Sequence, residues 1–301
     1  MTDAAIETVD LAKRYGSLTA LAGLTMSIPR GDVFGFLGPN GAGKTTAVKL
    51  LLGLARPTSG EASLLGAPLR DARGHREARR KVGYLPELFR YQGWLTAREV
   101  LGLHADLLGL ARHGWATEIA RVLGIAGLAE RAGDRVATFS KGMQQRLGLA
   151  AALLGRPELV MLDEPTSALD PVGRHDVREI IRGLRAEGLT VFLNSHLLSE
   201  VEQVCDRVAI VDKGRVVAAG TFDELLAGDT VRLRLTGLDV VDLSHFGTAD
   251  REGEWLTLRG IKADRIPDLV AEIVRQGGRV HAVQPMHESL EDRFLSLLGE
   301  R

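Results

Sequence analysis

The chain has 301 residues, 45% of them apolar and 26% charged, the proportions of an ordinary globular protein long enough to bury a core unaided. Its 38 basic and 39 acidic residues leave a formal charge of −1, without the basic excess of a protein that grips phosphate backbones, so nucleic acid is not an expected partner. Cys205 is the one cysteine, which excludes a disulfide framework and cysteine-built zinc sites and suits a reducing, cytoplasmic setting.

In chain order, the opening MTDAAIETVDLAKRY has early acids and no apolar run, so it does not read as a secretory signal. Ile6 to Leu11 and Leu24 to Ile28 alternate as strands, with a turn at Pro29 to Asp32. Val33-Phe34-Gly35-Phe36-Leu37 is continuously apolar, as in a strand buried on both faces. A glycine-rich loop follows, then Thr46 to Leu54 reads as a helix with Ala47, Leu50, Leu51 and Leu54 on one face. Arg70 to Lys81 is the most basic stretch, but acids interleave it and a solvated face is the expected reading. Residues 95–157 lack strand signals and read as several helices; their most apolar run, Leu147 to Gly155, is far short of the roughly 20 residues that span a bilayer. Strands return at Leu159 to Leu162, Val191 to Leu193 and Val208 to Val211, with helical patterns between. This alternation predicts an α/β fold with a mainly parallel sheet. Near Ala227-Gly228-Asp229 the pattern changes. Residues 1–228 are expected to form one domain and 229–301 a small α/β domain, with a strand at Val231 to Leu235, helices at Ile266 to Arg275 and Glu288 to Leu298, and a strand at Arg279 to Val283.

Two motifs carry chemistry. Gly38-Pro39-Asn40-Gly41-Ala42-Gly43-Lys44-Thr45, followed by Thr46, fits G-x-x-x-x-G-K-[ST] between an apolar strand and a helix. Converging backbone N–H groups and the helix N-terminus suit a nucleotide's phosphates; Lys44 would reach the β and γ phosphates, and the Thr45 hydroxyl would ligate Mg²⁺. Downstream, Leu159-Val160-Met161-Leu162 ends in Asp163-Glu164. A buried parallel strand ending on acids places them at the carboxyl edge, where ligands of α/β folds bind. Asp163 is then placed to hold Mg²⁺ and Glu164 to deprotonate the attacking water.

From Phe139-Ser140-Lys141-Gly142-Met143-Gln144-Gln145-Arg146 onward the sequence resembles the ATP-binding subunit of ABC transporters, a likeness that runs from residue 6 to about residue 228. Ser140-Lys141-Gly142-Met143 lies where that family has its signature Ser-Gly-Gly-Gln; Lys141 and Met143 depart from it, while Ser140 and Gly142 are kept. In isolation Ser140 reads as a helix N-cap. The resemblance implies a P-loop ABC ATPase domain: parallel core, antiparallel β subdomain and a helical subdomain at about 88–157. It implies that Tyr15 stacks on adenine and that Ser140, Gly142 and Met143 contact nucleotide. It also implies that Glu87, where the family has glutamine, senses Mg²⁺, and that His196 contacts the γ-phosphate. Ser167-Ala168-Leu169-Asp170 resembles the loop that crosses to a second subunit, though Asp170 also reads as a helix N-cap before Pro171.

In that family each ATP lies between the phosphate loop of one subunit and the signature of another, so a homodimer or heterodimer is implied. The implied function is a cytoplasmic ATPase, peripheral on the inner face of the cell membrane, that binds ATP and Mg²⁺, catalyses with Glu164, His196 and Lys44, and drives a separate membrane permease. The tail from Gln284 to Leu295 is similar to that of drug- and polysaccharide-exporter ATPases, with Leu290, Phe294 and Leu297 as a helical stripe. The alternatives are a soluble ABC-type ATPase acting on DNA or ribosomes, and a P-loop kinase, in which the signature segment and His196 have no role.

Overall fold

In the computed structural model the chain forms two compact units, Met1–Thr221 and Phe222–Arg301. The structure describes residues 4–299 except 168, 227–229, 238–242, 262 and 287–289, and it leaves out the side chains of 263, 285, 292 and 296–298. The expected boundary at Ala227-Gly228-Asp229, Ala168, and residues 288–289 of the last expected helix therefore lie outside the described residues.

The first unit begins with β1 (Ala4–Tyr15) and β2 (Leu18–Pro29), paired antiparallel. Both outrun the alternating stretches in the sequence, because register shifts around Leu11 break the period of two while the ladder continues. Next, β3 (Val33–Leu37) is buried throughout, as its continuous apolar run implies. It leads into α1 (Lys44–Leu51), which buries Ala47, Val48, Leu50 and Leu51. Leu54, expected on that buried face, is instead 66% exposed, since the helix stops at Leu51 and the Leu54 N–H folds back onto Lys49 O. Strands β4 (Ser59–Leu64) and β5 (Ala67–Pro68) complete a four-stranded sheet of order β2-β1-β4-β5.

The basic stretch folds largely as α2 (Ala72–Arg79), N-capped by Asp71. Most of its charges face solvent, Arg70 pairing with Glu61 and Arg73 with Glu77, while half-buried Arg79 donates to Leu52 O at 3.0 Å and Lys81 pairs with Glu158. Then come β6 (Val82–Leu85) and the helices α3 (Ala97–Leu107), α4 (Trp115–Ile125) and α5 (Lys141–Ala152), which fill the segment free of strand signals. The alternating part follows: β7 (Leu159–Asp163), α6 (Pro171–Ala186), β8 (Thr190–Ser195), α7 (Leu198–Val204), β9 (Arg207–Asp212) and β10 (Arg215–Thr221). A six-stranded sheet of order β10-β9-β3-β8-β7-β6 results, parallel throughout except for β10 against β9. Phe36 of β3 and Phe192 of β8 meet in its core with ring centroids 5.3 Å apart. The carboxyl ends of β3, β6, β7 and β8 thus share one edge, where the α/β topology gathers loops.

The second unit holds α8 (Phe222–Leu226), β11 (Thr230–Thr236), β12 (Thr248–Glu252), β13 (Trp255–Arg259), α9 (Ile266–Arg275), β14 (Arg279–Met286) and α10 (Leu290–Gly299). Its sheet is antiparallel, of order β12-β13-β11-β14. Leu233, Leu235, Leu256 and Leu258 bury one face against Leu269 and Ile273 of α9. Leu290 is buried and Phe294 half-buried. Among the described residues no helix is long and apolar enough to cross a membrane.

Candidate active site

The loop from Gly38 to Gly43 joins β3 to α1, and two of its glycines are dictated by space. A Cβ on Gly38 would stand 2.3 Å from Val211 O, and one on Gly43 2.4 Å from Ala20 O, at a φ of +99° that L side chains rarely adopt. Gly43 occupies the N-cap position and no side chain caps α1, so the first-turn N–H groups remain available to an anion. Asn40, Gly41 and Thr45 are exposed there, Pro39 and Thr46 half-buried, and Ala42 buried. Lys44 is only 7% exposed, and its Nζ donates to Gly38 O at 2.6 Å and Pro39 O at 3.3 Å. Burial pushes its pKa down, opposed by the charges of Glu164, Asp163 and Glu87.

Those three carboxylates lie on its acidic side. Asp163 closes β7 with 3% exposure and Glu164 follows with 8%. Asp163 Oδ1 accepts a hydrogen bond from Asn194 Nδ2 at 2.5 Å, and the nearby Tyr84 hydroxyl acts on the same carboxylate. Burial raises the Asp163 pKa and the charge of Glu87 adds to the rise, while the Asn194, Lys44 and Tyr84 contacts oppose it. Tyr84 is pushed up to about 12, first by burial and then by Asp163. Glu164 has a φ of +53°, and its N–H donates to Asn194 O at 2.9 Å. His196 Nδ1, from the loop after β8, lies 2.8 Å from Glu164 Oε2. Burial raises Glu164, and the close approach and charge of His196 hold that rise in check. Exposed Glu87, just past β6, acts on Asp163, Tyr84 and Lys44 through its charge.

The structure therefore gathers Lys44, Asp163, Glu164, His196 and Glu87 in one place. Tyr84 and Asn194, which orient Asp163, are absent from the sequence-based expectations. Asn194 had a signal: like Asp163, it is the polar residue that ends an apolar strand run, and the two face each other in register. Ser140, Gly142, Met143, Asp170 and Tyr15, also expected, make no hydrogen bond or ion pair with this cluster among the described residues. Ser140 is exposed and N-caps α5, its Oγ accepting from the Met143 N–H at 3.2 Å. Gly142 packs toward Gly173 at the start of α6. Asp170 accepts from the Gly173 N–H at 2.7 Å and caps α6, with Pro171 in the first turn. Tyr15 ends β1 half-exposed, with Lys13 Nζ 4.8 Å from its ring centre.

Residues 21–167 match the ABC transporter family model. An ABC transporter ATP-binding protein of Nostoc is 39% identical, the alignment covering 100% of this chain and 91% of that protein. The chain belongs to the ABC transporter ATP-binding family. It is thus an ATP-binding, ATP-hydrolysing subunit of the ABC type, and the α/β fold expected from its strand pattern is that of the family. The bacitracin transport ATP-binding protein of Bacillus licheniformis is 36% identical across 98% of this chain and 97% of its own length. The dimeric structure of a bacterial ABC transporter cassette superimposes with a TM-score of 0.64 at 25% identity, over 72% of this chain and 98% of that one. Among the described residues no group of three His, Cys, Asp or Glu side chains forms a metal cage. Mg²⁺ in nucleotide sites needs none, taking one or two carboxylates with phosphate and water oxygens.

Proposed function

We propose that this ABC ATPase dimerises around ATP and drives a separate membrane permease that exports a substrate, docked at the cytoplasmic face of that permease. The observation that carries the reading is that the phosphate loop gathers with the acidic pair and His196, whereas among the described residues no hydrogen bond or ion pair ties Ser140 or Gly142 to that cluster. Ser140 and Gly142 instead open α5. One chain then supplies half of each ATP site, and a second copy supplies the other half across an isologous interface. The dimeric cassette among the similar structures supports this arrangement, and the bacitracin transport relative supports export.

Within a closed site, the loop N–H groups and Lys44 hold the β and γ phosphates, and Tyr15 offers its exposed ring to the adenine. Asp163 and the Thr45 hydroxyl provide hard oxygen donors that fit Mg²⁺, with Glu87 nearby to orient water. Bound there, Mg²⁺ would neutralise charge on the β and γ oxygens. Glu164 accepts the proton of the attacking water, and its burial favours a carboxylate basic enough for that role. His196 fixes the orientation of Glu164 and reaches toward the γ-phosphate. The partner copy's signature loop closes over that phosphate, so ATP binding performs the mechanical step and hydrolysis releases it. Purification of the tagged chain from native membranes should recover a multi-span permease whose presence alters the ATPase rate; recovery with ribosomes or DNA instead would reject the transport reading.

A further inference from the structure

The outer face of the C-terminal sheet carries charges that no described residue of its own chain pairs. Leu233, Leu235, Leu256 and Leu258 face α9, so the alternate residues of β11, β12 and β13 lie on the opposite face. Their register aligns them in rows across the strands. One row reads Glu252, Trp255, Arg234; the next reads Asp250, Thr257, Arg232; the last reads Thr248, Arg259, Thr230. Two acids thus stand on β12 and two arginines on β11, with β13 between them. Two strand spacings, roughly 10 Å, separate each acid from the arginine of its row. Among the described residues none of these charged side chains has an ion-pair partner; Arg232 instead lies over the Trp255 ring, 4.6 Å from its centre. Asp250, Glu252, Arg234 and Arg259 are exposed.

This pattern is self-complementary. A rotation of 180° about an axis along β13, between two such faces, keeps every row level and exchanges β12 with β11. Glu252 then meets the partner's Arg234, Asp250 meets the partner's Arg232, and Trp255 meets the partner's Trp255. Facing sheets pack about 10 Å apart, a gap that a glutamate and an arginine bridge together. We propose that this face pairs with the same face of a second copy of the chain, about a two-fold axis along β13. From strand spacing and rise, three strands of this length cover roughly 500 Å² counting both copies, below the ~1,000 Å² of a free-standing interface. The contact therefore rests on the ATP-dependent dimer proposed above, which holds two tails at high local concentration. Arg259 falls on the axis at one end and faces the partner's Arg259, a repulsive pair at the rim.

The test uses the full-length chain with Glu164→Gln in MgATP, and Thr257→Cys as an axial reporter for a short bismaleimide; native Cys205 is buried. Cross-linking at Thr257→Cys is expected only with ATP. Arg234→Glu or Glu252→Arg alone should suppress it and weaken the dimer about tenfold. The double reversal should restore both, because each pair is swapped as a unit, and Arg259→Gln should tighten the dimer. Single reversals that dimerise and cross-link normally overturn the proposal. So does a double reversal no better than the singles, the pattern of arginines that serve an anionic ligand. A Glu164→Gln chain that stays monomeric in MgATP refutes the ATP dimer itself, whereas one that dimerises yet ignores the reversals overturns the tail contact alone.

Discussion

Asp163 sits almost fully buried, with Asn194 donating to its carboxylate and the Tyr84 hydroxyl acting on it from nearby. Partners of this kind set the orientation of a metal-binding group, and their loss costs about 10- to 100-fold in metal affinity or activity. Asn194→Ala and Tyr84→Phe should each raise the Mg²⁺ concentration needed for half-maximal turnover, read by titrating Mg²⁺ at saturating ATP. Glu164 adds a pH signature. Its carboxyl is raised above the ordinary 4.5, and a base must be deprotonated to work. Turnover should therefore fall on acidification along a limb lying above 4.5. His196 is one of the groups holding that value down, so His196→Ala should move the limb to higher pH as well as slow turnover. The acids themselves were legible in the sequence because a strand of four apolar residues ran into them. Tyr84 was not, because a tyrosine in a strand looks the same whether its hydroxyl meets water or a carboxylate.

Elements were legible wherever one signal ruled them. The unbroken apolar runs of β3 and β7 and the G-x-x-x-x-G-K-T loop located the parallel core and its ligand edge. The sheet edges were less so: β5 has two residues and β12 is exposed throughout, strands whose formation depends on pairing with a neighbour rather than on local periodicity. The end of α1 is hidden in the sequence for a related reason, since Leu54 keeps the helical spacing of apolar residues after the backbone has turned away. Asp170 shows both readings at work. Its carboxylate caps α6, so Asp170→Ala should lower the unfolding free energy by about 1 kcal/mol, measured as a shift of the urea midpoint at unchanged slope. Asp170→Ser keeps a cap and should recover most of that stability. If the loop also crosses to a second subunit, Asp170→Ser should still weaken ATP-dependent dimerisation.

For the whole molecule, composition set the frame and the site gave it meaning. A chain of balanced charge, in which no described helix is long and apolar enough for a bilayer, houses a nucleotide-binding unit whose phosphate loop opens α1 and whose Ser140 caps a different helix, α5. What local sequence patterns do not display is the gathering of Lys44, Asp163, Glu164 and His196 from distant strands and loops, a property of three-dimensional placement. The C-terminal unit illustrates the same limit: its alternating β11 was visible, but the rows of opposite charge flanking β13 emerge only from strand register. The central claim is that one chain holds half of each ATP site. The most direct measurement is sedimentation of Glu164→Gln in MgATP together with a count of bound nucleotide. A dimer carrying two ATP and turning over neither is the expected result. A monomer that binds ATP and hydrolyses it at the wild-type rate would contradict both the composite site and the role given to Glu164.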